Sequence, residues 1–291
     1  MTFRPVPIFQ SMTLDCAGIP LDLSRPRIMG ILNVTPDSFS DGGRFARLDD
    51  ALDQAVRMVD EGADILDIGG ESTRPGAPAV SLAEEMDRVL PVLERVRAAF
   101  DVPVSVDTSK PQLMQAAVTA GAGMINDVSA LRAVGAIEAL APLSVPVCLM
   151  HMQGKPRTMQ AAPQYDDVVA DILEYLAGRV AACEAGGIRR QRLLVDPGFG
   201  FGKTLQHNLV LLRDLARFGE LGLPVLVGIS RKSMLGTVTG RPVENRISAS
   251  VAAALMAVER GARIVRVHDV AATRDALRLW QAARDGDLAQ Q

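Results

Sequence analysis

The chain has 291 residues, 48% of them hydrophobic, and 31 Lys+Arg stand against 34 Asp+Glu for a formal net charge of −3. That length holds one large α/β barrel or two smaller domains with a sizeable core. The scattered basic residues give no nucleic-acid footprint, the longest strictly apolar run, Val251–Val258, is far too short to span a bilayer, and no apolar segment follows Arg4 as a signal peptide requires.

Along the chain, residues 5 to 24 read as a small hairpin whose Val6, Ile8, Met12 and Leu14 could plug the bottom of a barrel. Eight apolar, β-branched runs follow: Ile28–Val34, Ile65–Ile68, Val102–Val106, Met124–Val128, Val145–Met150, Leu193–Val195, Val225–Ile229 and Ile264–Val267. They lack clean alternation, as parallel strands buried on both faces do. Helical stripes lie between them, among them Leu205/Leu209/Leu212/Leu215 and Ile247/Val251/Leu255/Val258. The joints "EGADIL", "AGAGMI" and "RGARIV" end a helix on glycine and start a strand at once. Eight such units without a Pro/Ser-rich linker predict one (β/α)8 TIM barrel domain over 1–291 with a short N-terminal hairpin. The alternative, an open doubly wound sheet, lacks an obvious switch point. Cys16, Cys148 and Cys183 form no C-x-x-C pair or Cys/His cluster, so zinc is not expected and a reduced, cytoplasmic setting is.

Barrel active sites lie at the C-terminal strand ends, and every run here ends in polar residues. In order they are Asn33, Asp67, Asp107, Asn126-Asp127, His151, Asp196, "ISRKS" and Arg266-Val267-His268-Asp269. Singly, each has a bland reading: Asp107 could cap the next helix, and Asn126 and Asp127 could hold a turn. Together they ask for a polar ligand. Asp107, Asn126 and Asp196 suit a flat heterocycle rich in N–H donors, with Lys232 donating to its carbonyl or ring nitrogen. Arg74, Arg266 and His268 are anion-binding types. The loops "NVTPDSFSDGG" (33–43) and "ESTRPGA" (71–77) have little apolar anchorage and are expected to close over substrate. "LLVDPGFGFGKT" (193–204) fails as a phosphate loop, because Pro197 stands where that motif needs glycine. Its glycines are expected to let the backbone approach a ligand, Phe199 to be core, Lys203 to be a helix-start or surface residue, and His207 a surface or packing residue.

The stretches "GILNVTPDSFSDGG", "DIGGESTRPGA", "VSVDTSKP", "INDVSA", "DPGFGFGK", "ISRKS" and "IVRVHDV", in this order from about Arg27 to about Ala283, resemble the dihydropteroate synthase family of the folate pathway, the target of sulfonamides. The resemblance implies joining of 6-hydroxymethyl-7,8-dihydropterin diphosphate to 4-aminobenzoate with release of pyrophosphate. It implies that Asp107, Asn126, Asp196 and Lys232 hold the pterin, with Met150 packed on its face. Asn33, Thr73, Arg74, Arg266 and His268 match the diphosphate positions, Asn33 the one associated with Mg2+; Thr73, Arg74, Pro75, Phe201 and Ser233 match the aminobenzoate side. It further implies a dissociative, SN1-like path and a homodimer built on the C-terminal helices. Three rivals stand beside it. One is a pterin-dependent methyltransferase domain, which should lack both diphosphate loops; another is a catalytically silent pterin-binding paralogue. The third is an aldolase-like barrel with Lys232 as Schiff base, although nothing apolar next to it in sequence promises a lowered pKa.

Overall fold

The computed structural model describes residues 12–35, 44–72, 76–155 and 158–286. Strands β1 (Thr13–Cys16) and β2 (Ile19–Asp22) pair antiparallel as the hairpin. The barrel strands are β3 (Arg27–Asn33), β4 (Ile65–Gly69), β5 (Val104–Asp107), β6 (Met124–Asp127), β7 (Val147–Met150), β8 (Leu193–Asp196), β9 (Val225–Val227) and β10 (Ala262–Val267). All eight are parallel and close in the order β10-β3-β4-β5-β6-β7-β8-β9, one for each apolar run. Helices α1 (Arg44–Asp60), α2 (Leu82–Ala99), α3 (Pro111–Thr119), α4 (Ala136–Leu140), α5 (Val168–Ala185) and α6 (Leu205–Arg213) follow successive strands; α7 (Ser233–Thr239) and α8 (Ile247–Glu259) both follow β9, and α9 (Val270–Asp285) follows β10.

The glycine joints behave as the sequence predicts. Gly62, Gly121 and Gly261 have φ of 95°, 101° and 98°, left-handed backbone that admits glycine at little cost. The hairpin does seal the bottom of the barrel; of the residues expected there Leu14 takes part, joined by others. Leu14, Cys16, Leu21 and Leu23 pack on the inward-facing Met29, Ile65, Met124, Leu194 and Ile264. Met12 is exposed, and Val6 and Ile8 lie outside the described residues.

Two helical stripes are only partly in phase: Leu212, Leu215 and Val258 are buried, and the rest are not. In α6 the buried residues are Asn208, Leu211 and Leu212, and Leu209 is exposed. In α8 they are Ser250, Ala253, Ala254, Ala257 and Val258, and Ile247 is exposed. In α8, which turns its small residues inward, a stripe traced through large side chains picks the wrong face, whereas α6 buries Leu211 and Asn208 beside the traced stripe.

Candidate active site

Strand register builds the mouth. Asn33 pairs with Gly69, Gly69 with Asp107 and Asp107 with Asn126, while Met150 pairs with Asp196. These ends therefore stand side by side around one opening. Asp107 does not cap α3, whose N-cap residue, Lys110, makes no side-chain cap. Its Oδ2 instead accepts from Arg266 Nη2 at 3.1 Å, and Arg266 Nε donates to Asp67 Oδ2 at 2.6 Å. Asp67 is fully buried. It was legible only as a polar strand end, and its grip on Arg266 was not. Asn126 is buried as well: its Nδ2 lies 3.4 Å from Asp67 Oδ2, and its Oδ1 has no hydrogen-bond partner among the described residues. The bland reading is right for Asp127. Its carboxylate accepts from the Ser129 and Leu131 backbone N–H groups at 2.8 and 2.7 Å and from Ser109 Oγ, bracing a turn in which Ala130 and Leu131 take φ of 52° and 54°.

Burial dominates the electrostatics. It pushes the Asp107 carboxyl up to about 7, with Arg266 pulling it down and Asp67 pushing it further up. It raises Asp196 despite the nearby Lys232 and the Gly198 N–H, which donates to Asp196 Oδ1 at 2.7 Å. Lys232 is held down to about 8 by burial, while Asp196 pulls it back up. As expected, nothing next to Lys232 in sequence accounts for this shift. The apolar surroundings come from other elements: Lys232 Nζ lies 4.6 Å from the centre of the Phe201 ring and donates to the Phe199 carbonyl.

The loop after β8 is explained by close packing. A Cβ on Gly198 would lie 1.9 Å from the His151 carbonyl oxygen, and one on Gly202 would lie 2.4 Å from that of Gln153; both glycines have positive φ. These two glycines thus approach the neighbouring loop closely. Phe199 is buried core, as expected. Phe201 is half-buried against Val128, Met150, Met152 and Met159 and presents an apolar wall. Lys203 is a correction: it is buried, with Nζ 2.9 Å from His151 Nδ1 and donating to the Phe201 carbonyl at 3.0 Å. Burial holds its pKa well below the usual range and, with Lys203 adding to it, drives His151 down to about 2. The ring of His151 is therefore held in its neutral form. His207 completes the capping box of α6 with Thr204.

At β10, His268 lies against Ser230, with Nδ1 3.0 Å from Ser230 Oγ and its backbone N–H donating to the same oxygen at 3.2 Å. Ser233 is the exposed first residue of α7. Beside the mouth a cavity of about 410 Å³ is lined by Asp107, Val128, Glu71, Ser109, Lys155 and Thr158. Thr73, Arg74 and Pro75, and the first loop from residue 36 to residue 43, lie outside the described residues. Among the described residues, no group of three or more His, Cys, Asp or Glu could hold a metal ion, and no helix is long and apolar enough to cross a membrane.

Comparison with known proteins agrees with this geometry. A family model described as pterin binding enzyme matches residues 29–268. The dihydropteroate synthase of Haemophilus influenzae is 56% identical over 262 residues, covering 90% of this chain and 95% of its own. The solved structure of Xanthomonas albilineans dihydropteroate synthase with 4-aminobenzoic acid matches with a TM-score of 0.90 at 58% identity, over 94% of this chain and 99% of that one. The same organism's enzyme in complex with 7,8-dihydropteroate matches with a TM-score of 0.85 at 52% identity, over 94% and 99% of the two chains.

Proposed function

This chain belongs to the pterin-binding enzyme family and has the activity of a dihydropteroate synthase, and from that premise we propose how its mouth performs the reaction. The substrates are 6-hydroxymethyl-7,8-dihydropterin diphosphate and 4-aminobenzoate; the products are 7,8-dihydropteroate and pyrophosphate. The observation that carries the assignment of the pterin site is the buried acceptor set at the mouth. Asn126 Oδ1 is buried without a partner among the described residues, next in register to Asp107, and Lys232 feels the charges of Asp196, Arg266 and Asp107. Asp107, Asn126 and Asp196 accept from the amino-pyrimidine edge, Lys232 donates to the ring, and Met150 packs on its face.

Arg266 has five N–H donors and uses two on Asp67 and Asp107. We assign the rest of its fork to the diphosphate, together with His268, Thr73 and Arg74. The carbon–oxygen bond to the diphosphate breaks first, its electron pair leaves with pyrophosphate, and positive charge spreads through the pterin. The Asp107 carboxylate offsets that charge. The neutral amine of 4-aminobenzoate, held between Phe201, Pro75 and Ser233 with Thr73 and Arg74, then attacks the carbon and loses a proton. Because Mg2+ keeps several waters and takes one or two protein oxygens plus substrate phosphates, a lone Asn33 fits it. Asn33 Oδ1 lies beside Gly69, 3.6 Å from where a Cβ on that glycine would stand. Bound there with the diphosphate, the ion would offset leaving-group charge.

Exposed Val243, Ile247 and Leu279 on and near the C-terminal helices support a homodimer built on those helices. The three cysteines, free and buried, suit a reduced cytoplasm. The test is an assay of purified protein with both substrates and Mg2+, read as dihydropteroate formed. Deuterium on the reacting methylene should give a large normal secondary isotope effect, and 4-aminobenzoate should bind tightly only after pterin and pyrophosphate. An isotope effect near unity would overturn the dissociative path, and tight aminobenzoate binding to the protein alone would overturn the binding order.

A further inference from the structure

Arg231 has φ of 57°, a left-handed backbone that non-glycine residues enter only under strain. Such strain persists where the surroundings over-determine it, and it collects at functional sites. Here the backbone and one edge of the guanidinium are both held. Its N–H donates to Ser250 Oγ at 3.0 Å, and its carbonyl accepts from Arg246 Nη1 at 3.0 Å, so the start of α8 holds its backbone. Its Nε and Nη2 donate to Asp269 Oδ2 and Oδ1 at 3.0 and 2.5 Å, a two-toothed ion pair between the β9 exit and the β10 exit. Asp269 is the N-cap residue of α9, yet its side chain makes no cap bond there.

The neighbours give this turn its consequence. Ser230, one residue earlier, meets both Nδ1 and the backbone N–H of His268. Lys232, one residue later, stands against Phe201 and the Phe199 carbonyl. An ion pair whose arginine side chain is 36% exposed adds little stability of its own. A glycine at 231 would adopt the same backbone without strain.

We propose that Arg231 and Asp269 form a positioning clamp, which holds the strained turn so that Lys232 is aimed at the pterin and, through Ser230, His268 is fixed for the diphosphate. The clamp touches neither substrate and acts through those two residues; it rests on the roles assigned to them above.

The test uses the full chain with Arg231→Gly, Arg231→Lys and Asp269→Asn, and with Lys232→Ala and His268→Ala as references. In Arg231→Gly the thermal midpoint stays within about 3 °C of the parent, because relief of strain offsets the lost pair. Its kcat/KM for the pterin diphosphate nevertheless falls roughly tenfold or more, as a displaced active-site group requires. Inorganic pyrophosphate binds more weakly, while KM for 4-aminobenzoate stays within about twofold. Asp269→Asn shows the same split, and Arg231→Lys restores part of the rate. A glycine variant with parental kcat/KM, or a loss that merely follows the thermal midpoint, overturns the clamp. If Lys232→Ala and His268→Ala lose pterin and pyrophosphate binding while Arg231→Gly does not, the clamp falls and the site roles stand. If those two bind like the parent, the site roles fall and the clamp with them.

Discussion

At the bottom of the barrel, Leu14, Leu21 and Leu23 of the hairpin meet Met29, Ile65, Met124, Leu194 and Ile264, all nearly or fully buried. At the mouth four of the same strands carry polar side chains. On β4 the change takes two residues, Ile65 to Asp67; on β6 it is Met124 to Asn126, on β8 Leu194 to Asp196, and on β10 Ile264 to Arg266. Side chains two apart on a strand share a face, so one inward layer is sealed and the next is polar. The apolar layer is closed by the hairpin and needs nothing further. In the polar layer Arg266 is shared between two carboxylates, while Asp67 Oδ1 and Asn126 Oδ1 have no partner among the described residues. Buried groups of this kind are unfavourable unless something binds them. The difference between the layers therefore marks where the molecule is built for stability and where for a ligand.

The largest expected effect breaks the bottom and leaves the mouth alone. Leu23→Ala removes a fully buried side chain and should lower unfolding stability by about 2–5 kcal/mol, read by denaturant titration. Pterin affinity of the folded fraction should match the parent; a proportional loss of both would mean that the layers are not independent. Asp196→Asn is the converse. It keeps size and an acceptor for the Gly198 N–H but removes the charge-assisted acceptor for the ligand, and should weaken pterin binding by roughly 1.5–3 kcal/mol. Unfolding should move little. Calorimetry showing parental pterin affinity would remove Asp196 from the site.

The smallest effect sharpens the comparison within the polar layer. Asp107, with its carboxyl near 7, is neutral below that pH and charged above it, so it can offset a pterin cation only on the alkaline side. Lys232, near 8, loses its charge above that pH and with it part of its donation to the ring. The profile of kcat/KM for the pterin diphosphate should therefore rise through about pH 7 and fall above about pH 8, by about tenfold per pH unit outside those limbs. Asp107→Asn should flatten the acid limb and leave the alkaline one. An acid limb that persists in Asp107→Asn would assign it to another group.

Much of this was legible in the chain. Apolar runs without alternation, glycine at the helix–strand joints and a polar residue at each strand end are local signals, fixed by backbone geometry and by which faces a parallel strand buries. They fixed the number of strands, the closed barrel and the end of it that holds the site. The phase of α8 was not legible, because a small residue reads as core only when the approach of the barrel is known. Nor was Lys203 against His151, since "GKT" alone looks like an exposed helix start. Asp67 and Arg266 are 199 positions apart, and only barrel closure brings them to 2.6 Å. The pKa of Lys232 follows the same rule: its sequence neighbours are polar, and the wall that desolvates it comes from β8 and the loop beyond. Sequence patterning determined which residues face inward at the mouth. Tertiary structure decided which of them pair and which carry shifted charge, because desolvation and ion pairing depend on distances that closure alone sets.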